Sequence, residues 1–447
     1  MTSTLLRGAH VITMTADRPD AERLDILIAD DAIAAIGENL PAAADVVDFA
    51  GRIIIPGLIN AHLHTWQTAL RTVGADWTML EYLRHVHGEL GPRYRPDDVY
   101  IATLVGALSQ INRGTTTIGD WAHNSLTADH ADASLEALKQ SGVRALFLHG
   151  IPGRTPETTH PLAEVDRLLD VPTHSLVTVG MAIAGPQTST PQVAIADFRA
   201  AAERGIVASM HQSGGPARPA WEAVSSADLF TPLTNVVHGA GLTEEWVKRL
   251  IDAGATFTTT PENELSHGHG SPITPKLLAG EGAPSLGTDT DSAVPGDVLT
   301  AARIALAHQR GIDHDKARQD TGIMCPTATV TSKQALAWAT TEGARALGLA
   351  DRVGKIEVGL QADLTVIDAR QLNLWPAHHP VAAALHADLA NIEAVMISGK
   401  WRKRDHRLLE VDLGNLKAQL RESGDRLLAS EHHGTSTESH SMSVRRH

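Results

Sequence analysis

Ile55-Pro56-Gly57-Leu58-Ile59-Asn60-Ala61-His62-Leu63-His64 is an apolar run that ends in two histidines one residue apart. It reads as a buried strand, and side chains two apart on a strand share a face. His62 and His64 therefore project side by side, placed to chelate one cation, while Leu63 points into packing. The same letters recur in Arg84-His85-Val86-His87, but that segment has helical character. Side chains two apart on a helix diverge, so no metal role is expected there.

Working outward, three more residues terminate predicted strands. His211 ends Gly205–His211, His238 ends Thr234–His238, and Asp289 closes Ala283–Asp289. Apolar runs at Val143–Leu148, Leu176–Ile183, Ile206–Met210, Val236–Val237 and Thr256–Thr259 alternate with helix-period segments such as Pro191–Arg204, Thr243–Ala253 and Gly296–Arg310. Alternation over about 290 residues predicts a parallel sheet covered by helices, and the length suits an eight-fold α/β barrel. Such a barrel collects its chemistry at the C-terminal ends of its strands, where all five residues fall. The barrel is expected over 56–351. Short strands in 1–55 and 352–412 predict a small composite β domain built from both terminal segments. Residues 413–447 read as a C-terminal helix followed, from about Ser430, by a disordered tail with almost nothing to bury.

Neutral imidazoles and a carboxylate suit Zn²⁺, or Fe²⁺. One divalent ion is expected on His62, His64, His211 and Asp289, where it would acidify a bound water into the attacking hydroxide. Asp289 can both ligate and take that water's proton. His238 is left to orient the nucleophile or polarise the substrate.

Composition bounds the rest. The 447 residues hold 38 Lys+Arg against 52 Asp+Glu, a formal charge of −14, which argues against coating nucleic acid. Aromatics make up only 4%, so base-stacking platforms are not expected either. The single cysteine, Cys325, excludes a disulfide framework and a thiolate metal cage, and fits a reducing cytoplasm. No apolar run reaches the length of a membrane span, and the N-terminus lacks a signal-peptide pattern.

The ordered combination of motifs resembles the amidohydrolase superfamily, in its mononuclear cytosine deaminase-like and atrazine chlorohydrolase-like branch. The stretches that carry it are Ile55–His64, Arg113-Gly-Thr-Thr-Thr-Ile-Gly-Asp120, Val237-His-Gly-Ala-Gly-Leu-Thr-Glu-Glu245, Leu286-Gly-Thr-Asp289, Gly354–Leu364 and Val395–Lys400. The resemblance implies a distorted (β/α)8 barrel with a β-sandwich domain, the four ligands above, and His238 beside the water. Relatives of the binuclear branch bridge two metals with a carboxylated lysine, usually from the fourth strand. His174–Thr190 contains no lysine, so one ion is expected. Dimers are common among such relatives, which makes a homodimer compatible with the resemblance.

Two departures matter. Deaminases of this branch usually place a glutamate three residues after the fifth-strand histidine, whereas His211-Gln-Ser-Gly214 has glycine there. Glycine cannot transfer a proton. Many also carry Pro-His after the fourth strand, where this chain has Pro186-Gln187. The loop Thr260-Pro-Glu262-Asn-Glu264-Leu-Ser-His267-Gly-His269 is the expected source of a replacement, with His267 or His269 preferred. Glu262, Glu264, Asp291, Gln187, Trp66 and Gln67 are expected to line the substrate site, with Trp77, Trp121 and His123 near it. The expected activity is hydrolysis of a non-peptide C–N bond in a small molecule: an amide, a cyclic amidine or a heteroaromatic amine. An atypical deaminase or dechlorinase of a heteroaromatic ring is the alternative within the class. A non-catalytic binding protein on the same scaffold is the alternative outside it.

Overall fold

The computed structural model describes residues 3–41, 45–170 and 176–429. The tail from Ser430 and His174 lie outside the described residues. The chain begins with β1 (Ser3–Val11), β2 (Glu22–Ala29), β3 (Ala32–Gly37), β4 (Asp45–Asp48) and β5 (Arg52–Pro56). The barrel strands follow: β6 (Leu58–Leu63), β7 (Thr115–Ala122), β8 (Arg144–His149), β9 (Val177–Ala182), β10 (Ala208–Gln212), β11 (Thr234–His238), β12 (Thr256–Thr259) and β13 (Ser285–Leu286). The last strands are β14 (Leu364–Asp368), β15 (Ile392–Ile397), β16 (Lys400–Arg404) and β17 (Arg407–Leu408).

β6 to β13 pair in chain order, each parallel to the next. Closure is made by backbone rather than by a full ladder. Thr288 N and Asp289 N both donate to the His62 carbonyl at 3.0 Å, and His64 N donates to the Asp289 carbonyl at 2.8 Å. β13 is only two residues long, so Asp289 stands beyond its end, tied to Leu63 by a single parallel bridge. Every residue of β7 and β8 is buried, as expected of strands covered on both faces. Thr190 and Thr243 cap the helices Pro191–Arg204 and Glu244–Asp252, their hydroxyls accepting from Val193 N and Trp246 N.

The terminal strands form a second sheet, β17-β16-β15-β14-β5-β1-β2-β3, with β4 beside β1. Strands from both ends of the chain thus share one ladder, and β5 passes directly into β6. A helix spans Leu413–Ala429.

The histidine-bearing strand is irregular where it matters. The β6–β7 register shifts between Asn60 and Leu63, the signature of a bulge. Before it, Ile59 and Ala61 face inward and join Trp121, Leu146, Leu148 and Ala182 in an apolar layer. After it, the inward parity passes to His62 and His64, while Leu63 packs outward with Ile118 and Leu299. His62 and His64 therefore sit directly above an apolar floor.

Candidate metal centre and active site

The five predicted strand-end residues converge. His62 and His64 rings lie 4.8 Å apart, and His211 and His238 rings lie 4.9 and 6.0 Å from His62. Asp289 Oδ1 is 3.5 Å from His62 Nε2 and 3.2 Å from His64 Nε2, and His211 Nε2 is 3.2 Å from His62 Nε2. Donors on a tetrahedral ion at about 2.0–2.1 Å stand about 3.3 Å from one another, so the spacing of His62, His64 and Asp289 suits one small cation, with His211 joined to the group through His62. The tautomers agree. His64 Nδ1 donates to the Trp121 carbonyl at 2.8 Å, which leaves Nε2 a lone pair facing a carboxylate oxygen. Acceptor against acceptor in a buried site calls for a cation between them.

The electrostatics favour the ligating forms. Burial lowers His62 to about 4 and, with the neighbouring imidazoles, holds His211 well below its ordinary value. Burial alone would raise Asp289, but hydrogen bonds from His62 and His64 and the positive charge of imidazoles that hold a proton pull the carboxyl well below the usual range, a role that a cation between them would take over from those protons. Neutral imidazoles beside an ionised carboxylate are what a divalent ion requires. His238 and Asp289 both hold left-handed backbone, at φ 66° and 63°. Strain at two residues of one site is the kind a fold retains to aim side chains.

His238 is fixed from behind. Its Nδ1 lies 3.2 Å from Glu264 Oε1, and Glu264 also accepts from Thr259 Oγ1 at 2.6 Å and Thr260 N at 2.8 Å. Glu264 is fully buried and serves His238, which corrects its expected place as a substrate contact. The arrangement makes Nδ1 the N–H and turns the Nε2 lone pair, buried and without a protein partner, towards Asp289 Oδ2 at 3.7 Å.

The two loop histidines part company. His269 faces the centre: Nε2 lies 3.8 Å from Asp289 Oδ2, its ring 4.1 Å from His238, and Nδ1 donates to Ser213 Oγ at 3.1 Å. A Cβ on Gly214 would stand 3.1 Å from the His269 carbonyl. His269 thus adjoins the position that glutamate holds in the deaminases described above. His267 turns away, its ring against Tyr82 and Nε2 3.3 Å from the Gly74 carbonyl.

Other expected contacts are already engaged, and local sequence could not show it. Gln67 is clamped between Tyr82 OH at 2.6 Å and the hydroxyls of Thr290 and Ser292. Asp291 accepts from Arg71 Nε at 3.0 Å and Thr68 at 3.2 Å. Gln187 accepts from Ser213 N at 2.8 Å and donates to the Gly214 carbonyl at 3.1 Å. Glu262 is half-buried towards Asp297. Trp66 is packed with Tyr82, Val86 and Tyr94 rather than placed at an entrance, though its ring comes within 5.6 Å of His123. Trp77 stacks on His85 at 4.8 Å, away from the centre.

Two residues were missed. Asn263 Nδ2 donates to Asp289 Oδ2 at 2.6 Å. His87 is half-buried and reaches His123 Nε2 at 3.3 Å, while His123 lies over His64 with ring centroids 4.2 Å apart. Divergence of the His85/His87 pair holds, since His85 turns to Glu89. That same divergence carries His87 into the wall beside the site.

This barrel and donor set define a metal-dependent hydrolase. The chain belongs to the amidohydrolase family, whose pattern matches residues 53–402, and it is a hydrolase of carbon–nitrogen bonds other than peptide bonds. It is 26% identical over 96% of its length to 5-methylthioadenosine/S-adenosylhomocysteine deaminase of Desulforamulus reducens (strain ATCC BAA-1160 / DSM 100696 / MI-1), covering 99% of that protein. It superposes with TM-score 0.81 on a zinc-bound adenosine deaminase from Xanthomonas campestris, at 23% identity over 95% of this chain and 98% of that one. It superposes with TM-score 0.80 on zinc-complexed atrazine chlorohydrolase TrzN from Arthrobacter aurescens TC1, at 21% identity over 94% and 100%. No helix among the described residues is long and apolar enough to cross a membrane.

Proposed function

We propose that His62, His64, His211 and Asp289 hold one divalent ion, most naturally zinc, and that the enzyme hydrolyses a C–N bond of a small amide, cyclic amidine or heteroaromatic amine. The observation that carries the reading is the facing of lone pairs in the donor cluster, with His64 Nε2 set 3.2 Å from Asp289 Oδ1. The curated relative's name, a deaminase of methylthioadenosine and S-adenosylhomocysteine, supports a heteroaromatic amine as the first substrate class to try. The single free cysteine accords with a cytoplasmic setting.

The bound ion supplies Lewis acidity that makes water nucleophilic near neutral pH. The chain's own groups manage the protons. His238, its Nδ1 held by Glu264, presents Nε2 as the acceptor for the water proton. His269, beside Gly214, is lowered by burial to about 2 and so starts neutral; it can hand to the departing nitrogen only a proton that it first accepts from the attacking water. Asn263 fixes Asp289 Oδ2, and His123, His87 and Trp121 form a wall beside the reacting side.

The test is metal analysis joined to a substrate panel of 5′-methylthioadenosine, S-adenosylhomocysteine, other aminated heterocycles, small amides and chlorinated azines. Release of ammonia or amine that depends on the ion and is abolished in His211→Ala is expected. Protein with no ion at this cluster, or with an ion and no turnover across the panel, overturns the reading.

A further inference from the structure

Asp289 divides its two oxygens between two sets of nitrogens. Oδ1 faces His62 and His64, and Oδ2 faces His238 Nε2 at 3.7 Å and His269 Nε2 at 3.8 Å. The three ligand atoms of this second set lie within 4.8 Å of one another. We propose that the site takes a second, weaker divalent cation on His238, His269 and Asp289 Oδ2, sharing Asp289 with the first and blocking both imidazoles as proton carriers while it is bound. The inference rests on the one-ion reading and adds a regulatory state to it: excess zinc inhibits.

Three observations support it. Both histidines are anchored as ligating histidines are, with Nδ1 donating, to Glu264 in one case and to Ser213 in the other, so that both Nε2 lone pairs point at the same carboxylate oxygen. Two buried acceptors in this group, His238 Nε2 and Asn263 Oδ1, have no protein donor. Asn263 now places its NH2 among the acceptors, 2.6 Å from Asp289 Oδ2 and 3.3 Å from His269 Nε2. A half-turn of that amide exchanges donor for acceptor and offers Oδ1 as a fourth ligand, an arrangement that is repulsive without a cation and favourable with one. The geometry also ranks the sites. The first set is spaced at 3.2–3.5 Å and the second at 3.7–3.8 Å, looser than a tetrahedral ion prefers, and one carboxylate must serve two dications.

Equilibrium dialysis against buffered free Zn²⁺, with protein-bound metal counted by elemental mass spectrometry, tests this without reference to turnover. The wild-type chain is expected to fill one equivalent tightly and a second at free zinc at least tenfold higher. His269→Ala is expected to keep the tight ion and lose the second. Asn263→Asp, which turns an amide oxygen into a carboxylate, is expected to tighten the second equivalent at least tenfold. Saturation of wild type at one equivalent overturns this inference and leaves the one-ion reading standing, as does a second equivalent that His269→Ala retains. A chain that takes no tight ion overturns both.

Discussion

A histidine with one nitrogen committed has its other nitrogen assigned, and Glu264 commits His238. Replacing Glu264 with Gln keeps the shape but offers the imidazole a neutral partner, and a glutamine can present its NH2 to Nδ1 and reverse the tautomer. Nε2 then carries the proton and cannot accept one. Loss of general base catalysis of this kind costs about 10²–10⁴-fold in rate. Glu264→Gln is therefore expected to lower kcat by at least about 10²-fold with one tight ion still bound, read by steady-state kinetics beside metal analysis. An unchanged kcat would show that Glu264 only packs. The second residue-scale prediction concerns Gly214. A side chain there must displace the His269 carbonyl, 3.1 Å from the new Cβ. Gly214→Glu alone is expected to depress turnover, because the carbonyl must shift by a few tenths of an ångström and the carboxylate meets the imidazole; on top of His269→Ala the carbonyl shift remains but the imidazole's space is free for the carboxylate, and activity is expected to recover relative to His269→Ala. If the double variant is no better than His269→Ala, the two positions do not share a role.

Among elements, β6 and its neighbour β13 place the ligands, and their contact leaves no room for a side chain. A Cβ on Gly287 would lie 2.7 Å from the His62 carbonyl and 2.8 Å from His62 Cβ. Backbone cannot fold away as a flexible side chain can. Gly287→Ala is expected to cost about 1–3 kcal/mol, read by urea unfolding, and to weaken the tight ion because the displaced residue is His62 itself. Legibility divides along the same line. Period-two alternation and strand ends single out His62, His64, His211, His238 and Asp289, whose side chains the structure brings together, although Asp289 stands beyond β13 and is held by backbone bonds to His62 and His64. The engaged residues were not legible. Gln67 is saturated by Thr290 and Ser292, more than 220 positions away, and Gln187 by the backbone of Ser213 and Gly214. A polar side chain's partner is a tertiary fact, and the local pattern around Gln67 or Glu264 is the same whether it meets substrate or protein. His87 hid for a related reason: its helix was read correctly, but which face of that helix turns inward depends on the packing of Tyr82 and Val86 against Trp66. The barrel was legible because alternation is local. Its irregular first strand was not, since a bulge shows only in the pairing.

At the scale of the molecule, one buried ion pair joins the barrel to the terminal sheet. Arg144, the first residue of β8, donates from Nε and Nη2 to Asp363 at 2.8 and 3.0 Å, and Asp363 also accepts from Ser398 N at 2.7 Å. Both side chains are almost wholly buried. Arg144→Met leaves a carboxylate without its cation and is expected to cost about 3–5 kcal/mol in urea unfolding, more than Arg144→Met with Asp363→Asn. Imidazoles wholly or partly withdrawn from solvent set a second global property, the response to acid. His62 and His149 are lowered by burial to about 4 and His87 to about 3, from 6.5 when exposed. Between pH 6.5 and those values the unfolded chain binds protons that the folded chain refuses, so unfolding becomes more favourable as pH falls. Above about pH 7 neither state binds them and the contribution is flat. Melting temperatures of chelator-treated protein are therefore expected to be level from pH 8 to 7 and to fall steadily from 6.5 to 4.5. His87→Gln removes one such group, so its stability is expected to change less with pH than wild type, by about 1.4 kcal/mol for each unit below 6.5. Parallel slopes for the two proteins would mean that His87 takes up its proton in the folded state, and that the wall beside His123 and His64 is wet.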